Sequence, residues 1–268
     1  MERTRGKRAR FPHGKVRVKC VEKTGRILRF LAERPEGVPL KELSQELGII
    51  PSTLHHLLAT MKAVGYIEEE EEKYRIGLGL VELVFSYLAK TDLFTASHPE
   101  AKRLRDKFNQ TVAVISYRGG KEFPIIELPN RSYIQVNLVF SQGDVPTLHA
   151  TASGKILLAY STPDVFSDYI NGKGLHKFTS NTITDPKALQ EELERIKEQG
   201  YALDRGEYRE EILGVFAPIF DAHRDLVGAI GIITLLFKHS QEEIEEFIKG
   251  LTEAGKKISS KLGYVLSE

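Results

Sequence analysis

The sequence predicts an α+β protein made of two unlike parts, a small helical domain that ends in a β-hairpin and a larger domain with an antiparallel sheet flanked by helices. Apolar residues recur at helical spacing up to about residue 65, and two short strand-like runs follow them. From about residue 95 the pattern changes to strand-like runs between turn residues, with helices collected to one side. The 268 residues are sufficient for two such domains.

Basic residues are concentrated at the start of the chain. Residues 1–19 hold eight basic side chains against Glu2 alone, a charge of about +7, and few apolar residues around which to fold. We therefore predict that residues 1–20 form a basic arm that is disordered when free. With Arg8 and Arg10 it is suited to follow a phosphate backbone or to enter a minor groove, and the alternative is a solubilising tail. The whole chain is nearly balanced, with 38 basic and 37 acidic residues, so only this distribution favours nucleic acid.

Three amphipathic helices are predicted between residues 21 and 65. Gly48 is expected to end the second helix and Gly65 the third, while Pro51 is tolerated in the first turn of the third. The apolar stripes that would form a common core are, in chain order, Val21, Ile27, Leu28 and Leu31; Leu40, Leu43 and Leu47; and Leu54, Leu57, Leu58, Met61 and Val64.

The opposite face of the third helix carries side chains suited to DNA. These small or polar groups can approach base edges and phosphates in a major groove, and they are Ser52, Thr53, His56, Thr60 and Lys62. His55 lies nearer the boundary between the two faces. The runs starting at Tyr66 and Lys73 predict a two-stranded hairpin, which completes a winged helix-turn-helix over residues 21–77. The expected partner is a double-stranded DNA operator, and the alternative is an ordinary helical hairpin inside another kind of domain.

The predicted wing is unusual for a DNA-binding domain because Glu68 to Glu72 is an unbroken run of five acids. Carboxylates at this place repel a phosphate backbone. Either the tip of the wing stays clear of the duplex and the basic arm supplies the charge, or the DNA contacts are concentrated in the third helix.

A linker helix is predicted over residues 78–94. Its apolar residues occupy more than one side, so the helix needs a partner, and it either joins two domains or forms the core of one. Since one recognition helix reads only a few base pairs, a homodimer or a dimer of dimers is expected on a two-fold site.

Residues 95–268 are predicted to form the larger domain. Its strands are expected at 112–117, 124–128, 133–140, 212–220 and 226–235, with turns at Gly119-Gly120 and Gly143-Asp144. Two helices are predicted between them, at about 152–160 and 186–199, and a third begins at Gln241. Hairpins of this kind favour an antiparallel sheet over a parallel dinucleotide-binding fold.

Enzyme chemistry finds little support in the motifs. Thr151-Ala-Ser-Gly-Lys155 resembles a phosphate loop only superficially, since His149 stands where a glycine is needed and Ile156 where a Ser or Thr is needed. No zinc-binding spacing occurs among the eight histidines and the single Cys20. Ser153 could form a nucleophilic pair with Lys155 or His149. No third group that would orient such a pair stands at a recognisable spacing in the sequence. We therefore predict no enzyme activity, no cofactor and no metal.

The chain is predicted to be cytoplasmic. A single cysteine rules out an internal disulfide framework, no apolar run approaches the ~20 residues needed to span a bilayer, and the basic N-terminus lacks the apolar segment of a secretory signal. No membrane partner is expected.

Several motifs in the same order resemble the IclR-type transcriptional regulators, from about Val21 to about Gly263. The N-terminal ones are Leu40-Lys-Glu-Leu-Ser, Pro51-Ser-Thr-Leu-His-His-Leu-Leu-Ala-Thr-Met, Gly65-Tyr-Ile-Glu and Tyr74-Arg-Ile-Gly-Leu. The C-terminal ones are Leu148-His-Ala-Thr-Ala-Ser-Gly-Lys-Ile-Leu-Leu-Ala, Phe178-Thr-Ser-Asn-Thr-Ile-Thr-Asp, Gly200-Tyr-Ala-Leu-Asp and Ala217-Pro218. The resemblance implies a winged helix-turn-helix, a linker helix and a GAF-like effector-binding domain. It also implies a repressor.

The resemblance places an effector site at the start of the helix at 152–160, with Ala152, Ser153 and Asp204; close helix packing is the alternative role for Ala152. Backbone N–H groups there can hold an anion. Leu138 is included in the same site. Three family positions depart from the pattern, since a frequent cysteine and two frequent serines correspond to Gly214, Gly231 and Ile233. These changes predict a roomier and more apolar pocket, suited to a larger organic acid such as an aromatic or sugar-derived acid.

His56 is a further departure, because similar proteins often have arginine at this position. A neutral histidine can make one hydrogen bond but not the bidentate contact to guanine. The predicted function is a ligand-responsive, sequence-specific DNA-binding regulator. The alternative is a metabolic enzyme or small-molecule-binding module that uses the winged helix for protein contacts.

Overall fold

The computed structural model describes residues 18–88, 92–131 and 147–265. By its internal contacts the chain divides into two compact units, with the division between Tyr87 and Leu88. We call them the N-terminal unit and the C-terminal unit. Arg8, Arg10, Leu138 and the predicted strand at 133–140 lie outside the described residues. The predicted boundary of the arm at residue 20 is wrong, because Lys19 and Cys20 are already helical and belong to the first helix of the N-terminal unit.

Three helices and a small sheet form the N-terminal unit. The helices are α1 (Lys19–Ala32), α2 (Leu40–Leu47) and α3 (Pro51–Ala63), and the strands are β1 (Val38–Pro39), β2 (Ile67–Glu70) and β3 (Lys73–Ile76). The sheet has the order β1-β3-β2 and is antiparallel. Apolar side chains from every one of these elements meet in a single core. Two residues of the predicted stripes, Val21 and Val64, are exposed instead, because each stands at the edge of its stripe near a helix end.

Tight turns connect these elements. Gly48 ends α2 in the left-handed region at φ 62°, where a glycine has no steric penalty. Glu71 and Glu72 form the two-residue turn of the β2–β3 hairpin with φ 50° and 60°. Positive φ at both positions is what a type I′ turn requires, and its twist matches that of the strands. The acidic run therefore folds as a regular hairpin.

Three glycines fasten the end of α3 to the next helix, α4 (Leu78–Leu88). The Gly79 N–H donates to the carbonyl of Gly65 and the Gly77 N–H to that of Tyr66, both at 2.9 Å. A Cβ on Gly77 would lie 2.5 Å from the Gly65 carbonyl oxygen, and one on Gly79 would lie 2.6 Å from the same atom. The backbones meet so closely here that only glycine fits. We call Gly65, Gly77 and Gly79 the glycine junction.

The C-terminal unit contains a five-stranded antiparallel sheet in the order β5-β4-β8-β7-β6. Its strands are β4 (Thr111–Arg118), β5 (Lys121–Leu128), β6 (Ala202–Arg205), β7 (Ile212–Phe220) and β8 (Leu226–Leu235). Its helices are α5 (Asp92–Phe108), α6 (Ala152–Ala159), α7 (Pro163–Lys173), α8 (Pro186–Gln199) and α9 (Gln241–Lys261), and a 3-10 turn covers Leu236–Lys238. Elements β1, β6 and α7 were not predicted from the sequence. The predicted linker segment 78–94 contains all of α4 and the first residues of α5.

Helices cover both faces of this sheet, so the prediction that they collect to one side is wrong. Helices α5 and α9 pack on one face, and α6 and α8 pack on the other. The reason lies in the central strands β4, β7 and β8, whose consecutive residues are nearly all buried. Strands that are apolar on both sides need two covering layers.

Candidate DNA-reading surface and effector site

Helix α3 presents a polar face opposite its buried stripe. Leu54, Leu58 and Met61 are buried, and Ser44 Oγ donates to the Ile49 carbonyl at 2.8 Å to hold the turn before α3. We call the polar residues the reading face: Ser52, Thr53, His55, His56, Thr60 and Lys62. All of them are exposed except Thr53, which is partly buried. His55 is therefore fully part of this surface rather than at its boundary.

Two members of the reading face already have partners. Thr60 Oγ1 donates to the His56 carbonyl at 3.0 Å, which leaves the hydroxyl free only to accept. Lys62 Nζ lies 2.8 Å from Glu69 Oε2 on the wing. The hydrogen bond from Lys62 lowers the pKa of Glu69, so the carboxylate stays ionised and offsets the lysine charge. The side chains best placed to read bases are therefore Ser52, His55 and His56.

The wing acids have structural roles. Glu68 Oε1 accepts from the Leu78 N–H at 3.2 Å, at the start of α4, and Glu68 and Glu70 both pair with Arg75 on the neighbouring strand. Glu71 and Glu72 form the turn. Two of the five carboxylates, Glu68 and Glu69, thus hold the hairpin to α4 and α3, and Glu70 joins its two strands, which explains the acidic run without a DNA contact.

The start of α6 lies at the centre of the candidate effector site. Thr151 Oγ1 caps the helix by accepting from the Gly154 N–H at 3.2 Å, and Ala152 and Ser153 follow, both buried. Gly214 lies beside Ala152 and Asp204. A Cβ added to this glycine would lie 3.5 Å from the Ala152 Cβ and 3.4 Å from the Asp204 Cβ. Three of the residues implied by the resemblance therefore converge, and Ile233 is the strand partner of Gly214.

Asp204 also has a structural role in this site. Its Oδ1 accepts from the backbone N–H of Glu207 at 2.7 Å and of Tyr208 at 3.4 Å, which holds the turn after β6. Burial raises the pKa of Asp204 to about 7 despite these hydrogen bonds. The carboxyl is therefore poised between its neutral and ionised forms near neutral pH.

The expectation of a roomier pocket is wrong at Gly231. A Cβ at this position would lie 2.3 Å from the ring of Phe216, so the phenylalanine on the neighbouring strand occupies the space that a larger side chain would take. The residue exchange therefore replaces a polar side chain by an aromatic ring without opening a cavity. The ring makes this part of the candidate site apolar.

Lys155 and His149 are held by structural contacts and do not form a nucleophilic pair with Ser153. Lys155 is 1% exposed, and its Nζ lies 2.6 Å from Glu207 Oε1 and 3.3 Å from Glu192 Oε1. Both ring nitrogens of buried His149 are engaged, one by Tyr169 Oη at 2.7 Å and the other by the His176 carbonyl at 2.8 Å. Neither side chain is available to activate Ser153.

Two further polar residues, Tyr117 and Glu122, lie near Ser153 and were not singled out from the sequence. Tyr117 Oη donates to the Ser153 carbonyl at 2.7 Å, and the Ser153 side chain lowers the pKa of the Glu122 carboxyl, which burial raises. The one feature that could have pointed to them is their shared face of the β4–β5 hairpin, where Tyr117 and Glu122 are strand partners. Without the position of α6, this pair resembles any other at the edge of a sheet.

The described residues contain neither a metal-binding cluster nor a membrane-spanning helix. Among residues 18–88, 92–131 and 147–265, no group of three or more His, Cys, Asp or Glu side chains is arranged to hold a metal ion. Within the same ranges no helix has the length and apolar character needed to cross a bilayer.

A winged helix-turn-helix combined with a separate α+β unit defines a class, the transcriptional regulators that couple a DNA-binding domain to a ligand-binding domain. Residues 20–71 match the IclR helix-turn-helix domain, and residues 85–260 match the domain described as bacterial transcriptional regulator IclR C-terminal. The chain belongs to the IclR family. The predicted family, the α+β fold and the function as a DNA-binding transcriptional regulator are confirmed.

Curated relatives and a solved structure agree. The HTH-type transcriptional regulator KdgR of Escherichia coli K12 is 31% identical over 92% of this chain and 94% of its own length. The transcriptional repressor IclR of the same organism is 28% identical over 89% of this chain and 88% of its own. The structure of an IclR homolog from Microbacterium hydrocarbonoxydans, complexed with 4-hydroxybenzoate, is 22% identical, with a TM-score of 0.78 over 91% of this chain and 98% of that one.

Proposed function

We propose that this protein is a cytoplasmic repressor, without catalytic activity, that binds its operator through the reading face of α3 and releases it when an organic acid occupies the C-terminal unit. The exposed polar face opposite the buried stripe of α3 is the observation that carries the proposal. A helix of this kind presents its first residues to base edges in the major groove. Ser52, His55 and His56 supply the hydrogen bonds, and residues 1–17, with Arg8 and Arg10, supply the charge that the acidic wing lacks.

A homodimer, or a dimer of dimers, is the assembly we propose. Leu78, Val81, Leu83 and Val84 on α4 are all exposed, with Leu78 at 69%. Apolar side chains in such a cluster are covered in many oligomers. Two copies would place two α3 helices on a two-fold operator, and the paired contacts would multiply the specificity of one helix.

The effector is proposed to lie at the start of α6, between Ala152, Ser153, Asp204, Gly214 and Ile233. Free N–H groups in the first turn of a helix attract a carboxylate, and Phe216 over Gly231 provides an apolar wall. The homolog bound to 4-hydroxybenzoate supports an acid of this size. Release is then a shift of population: an acid that binds the DNA-incompetent arrangement tenfold more tightly contributes ~1.4 kcal/mol toward it.

The reading face is tested by a triple variant, Ser52→Ala, His55→Ala and His56→Ala. We expect the preference for the duplex upstream of its own gene over a shuffled duplex to fall at least tenfold, because each lost hydrogen bond costs about 0.5–1.5 kcal/mol and three positions are changed together. Fluorescence anisotropy of the full chain measures both affinities across a salt series. Gln190→Ala, an exposed polar change on α8, is the matched control. An unchanged preference in the triple variant would remove α3 as the recognition helix.

The basic arm is tested by deleting residues 1–17, which leaves α1 and its N-cap Val18 intact. Affinity for both duplexes should fall together, and the slope of log affinity against log salt should decrease by about 0.9 for every phosphate group that the arm neutralises in the full chain. The ratio between the two duplexes should stay the same, since phosphate contacts carry no sequence information. A salt slope equal to that of the full chain would show that the arm makes no phosphate contact.

A further inference from the structure

Glu122 has an unusual position beside the candidate effector site. It lies on β5, at the edge of the sheet, directly opposite Tyr117 on β4. Its side chain lies near the start of α6, because its strand partner Tyr117 donates to the Ser153 carbonyl and the Ser153 side chain lowers the pKa of the Glu122 carboxyl group. Glu122 and Asp204 lie on β5 and β6, the two edge strands of the sheet.

One oxygen of this carboxyl group has no partner. Glu122 Oε1 is shielded from solvent and accepts no hydrogen bond within the described parts of the chain, although the residue as a whole is only partly buried. Burial raises the pKa of Glu122 to about 7. A buried acceptor without a partner weakens a fold, so proteins seldom retain one that has no use.

The neighbouring hydroxyl protons are already committed elsewhere. Tyr117 Oη donates its proton to the Ser153 carbonyl at 2.7 Å. The contact of His149 Nε2 with the His176 carbonyl makes this nitrogen a donor, so in the neutral ring Nδ1 accepts the proton of Tyr169 Oη. Burial lowers the pKa of His149, which favours this neutral form. Neither tyrosine can therefore turn its proton toward Glu122 without breaking a buried hydrogen bond.

We propose that Glu122 Oε1 pairs with a hydroxyl group of the effector, so that the effector is a hydroxylated organic acid with its carboxylate at the start of α6 and its hydroxyl at Glu122. The inference rests on the proposed effector site and specifies its ligand. A hydroxyl both donates and accepts, so it satisfies Oε1 whether Glu122 is ionised or neutral. An acid without the hydroxyl leaves Oε1 unpaired, and a second carboxylate at this end is repelled by ionised Glu122. Glu122 is thus a specificity-determining residue.

Paired acids that differ only in hydroxyl groups test this inference. Isothermal titration of the full chain would compare 4-hydroxybenzoate with benzoate, and gluconate with hexanoate. We expect at least one hydroxylated acid to bind tenfold or more tightly than its partner. In Glu122→Leu the difference should fall below twofold while the acid lacking the hydroxyl still binds. In Glu122→Gln most of the preference should remain, because an amide can also pair with a hydroxyl. Glu127→Gln, an exposed change on the same strand, is the matched control.

Each outcome decides the question. A preference that survives in Glu122→Leu, or equal binding of the members of both pairs, would overturn the role of Glu122, and so would a complete lack of binding by all four acids. If Glu122→Leu does not fold, as judged by circular dichroism, the inference is decided by whether Glu122→Gln retains the preference of the unaltered chain; its loss there overturns the inference. Operator binding measured by anisotropy on the same samples tests the proposed function separately, since it does not depend on which acid fits.

Discussion

Replacing Lys155 by methionine is expected to lower the free energy of unfolding of the C-terminal unit by about 3–5 kcal/mol. The lysine is 1% exposed, and its ammonium is the shared partner of Glu207 and Glu192. Methionine fills a similar volume but leaves buried Glu207 without a counter-charge, whereas Glu192 keeps its contact with Arg195. Removal of one partner from a buried pair costs far more than the pair contributes. The change would be measured by guanidinium chloride unfolding followed by far-ultraviolet circular dichroism.

Two further variants separate this explanation from a packing defect. Lys187→Met, an exposed change on α8, should shift the unfolding midpoint little. Adding Glu207→Gln to Lys155→Met should recover part of the stability, because the uncompensated charge of Glu207 is then removed. A decrease below about 1 kcal/mol in Lys155→Met would contradict the buried network as a source of stability.

Replacing Gly79 by alanine is expected to destabilise the N-terminal unit by about 2–3 kcal/mol. The new Cβ would lie 2.6 Å from the carbonyl oxygen and 2.9 Å from the carbonyl carbon of Gly65. These are backbone atoms, so the clash cannot be relieved by a change of rotamer, and the hydrogen bond from the Gly79 N–H to Gly65 must lengthen. Thermal unfolding followed by circular dichroism measures the effect.

Gly172→Ala is the matched control for this change. Gly172 lies within helix α7, and nothing would stand within 4 Å of an added Cβ. Alanine is favoured over glycine inside a helix by about 0.5–1 kcal/mol, so this variant should be as stable as the unaltered protein or slightly more stable. Equal thermal stability of Gly79→Ala and Gly172→Ala would show that the glycine junction can accommodate a Cβ.

Much of the fold could be predicted from local patterns. The helix-turn-helix follows from three apolar stripes and two glycine stops, and the strands predicted at 212–220 and 226–235 have the same bounds in the structure. These elements are long or strongly periodic, so their burial pattern can be predicted from the sequence. Helix α7 and strand β6 were missed because α7 has little amphipathic character and β6 is only four residues long.

Contacts between distant elements could not be predicted in the same way. Phe216 fills the space over Gly231 because the register of β7 with β8 places them side by side, and register is a property of the folded sheet. Glu122 becomes notable only when α6 brings Ser153 to the β4–β5 hairpin. The candidate effector residues Ala152, Asp204 and Gly214 could be named in advance only through the family resemblance.

The glycine junction also determines how this regulator can be re-engineered. Because α3, the hairpin and the first turn of α4 share backbone contacts, a transplanted DNA-binding module must carry Gly77 and Gly79 with it. A chimera joined between Ile76 and Leu78 would place foreign backbone against Gly65 and break the hydrogen bonds made there. The suitable splice point lies further along α4, where the exposed residues from Val81 to Val84 begin.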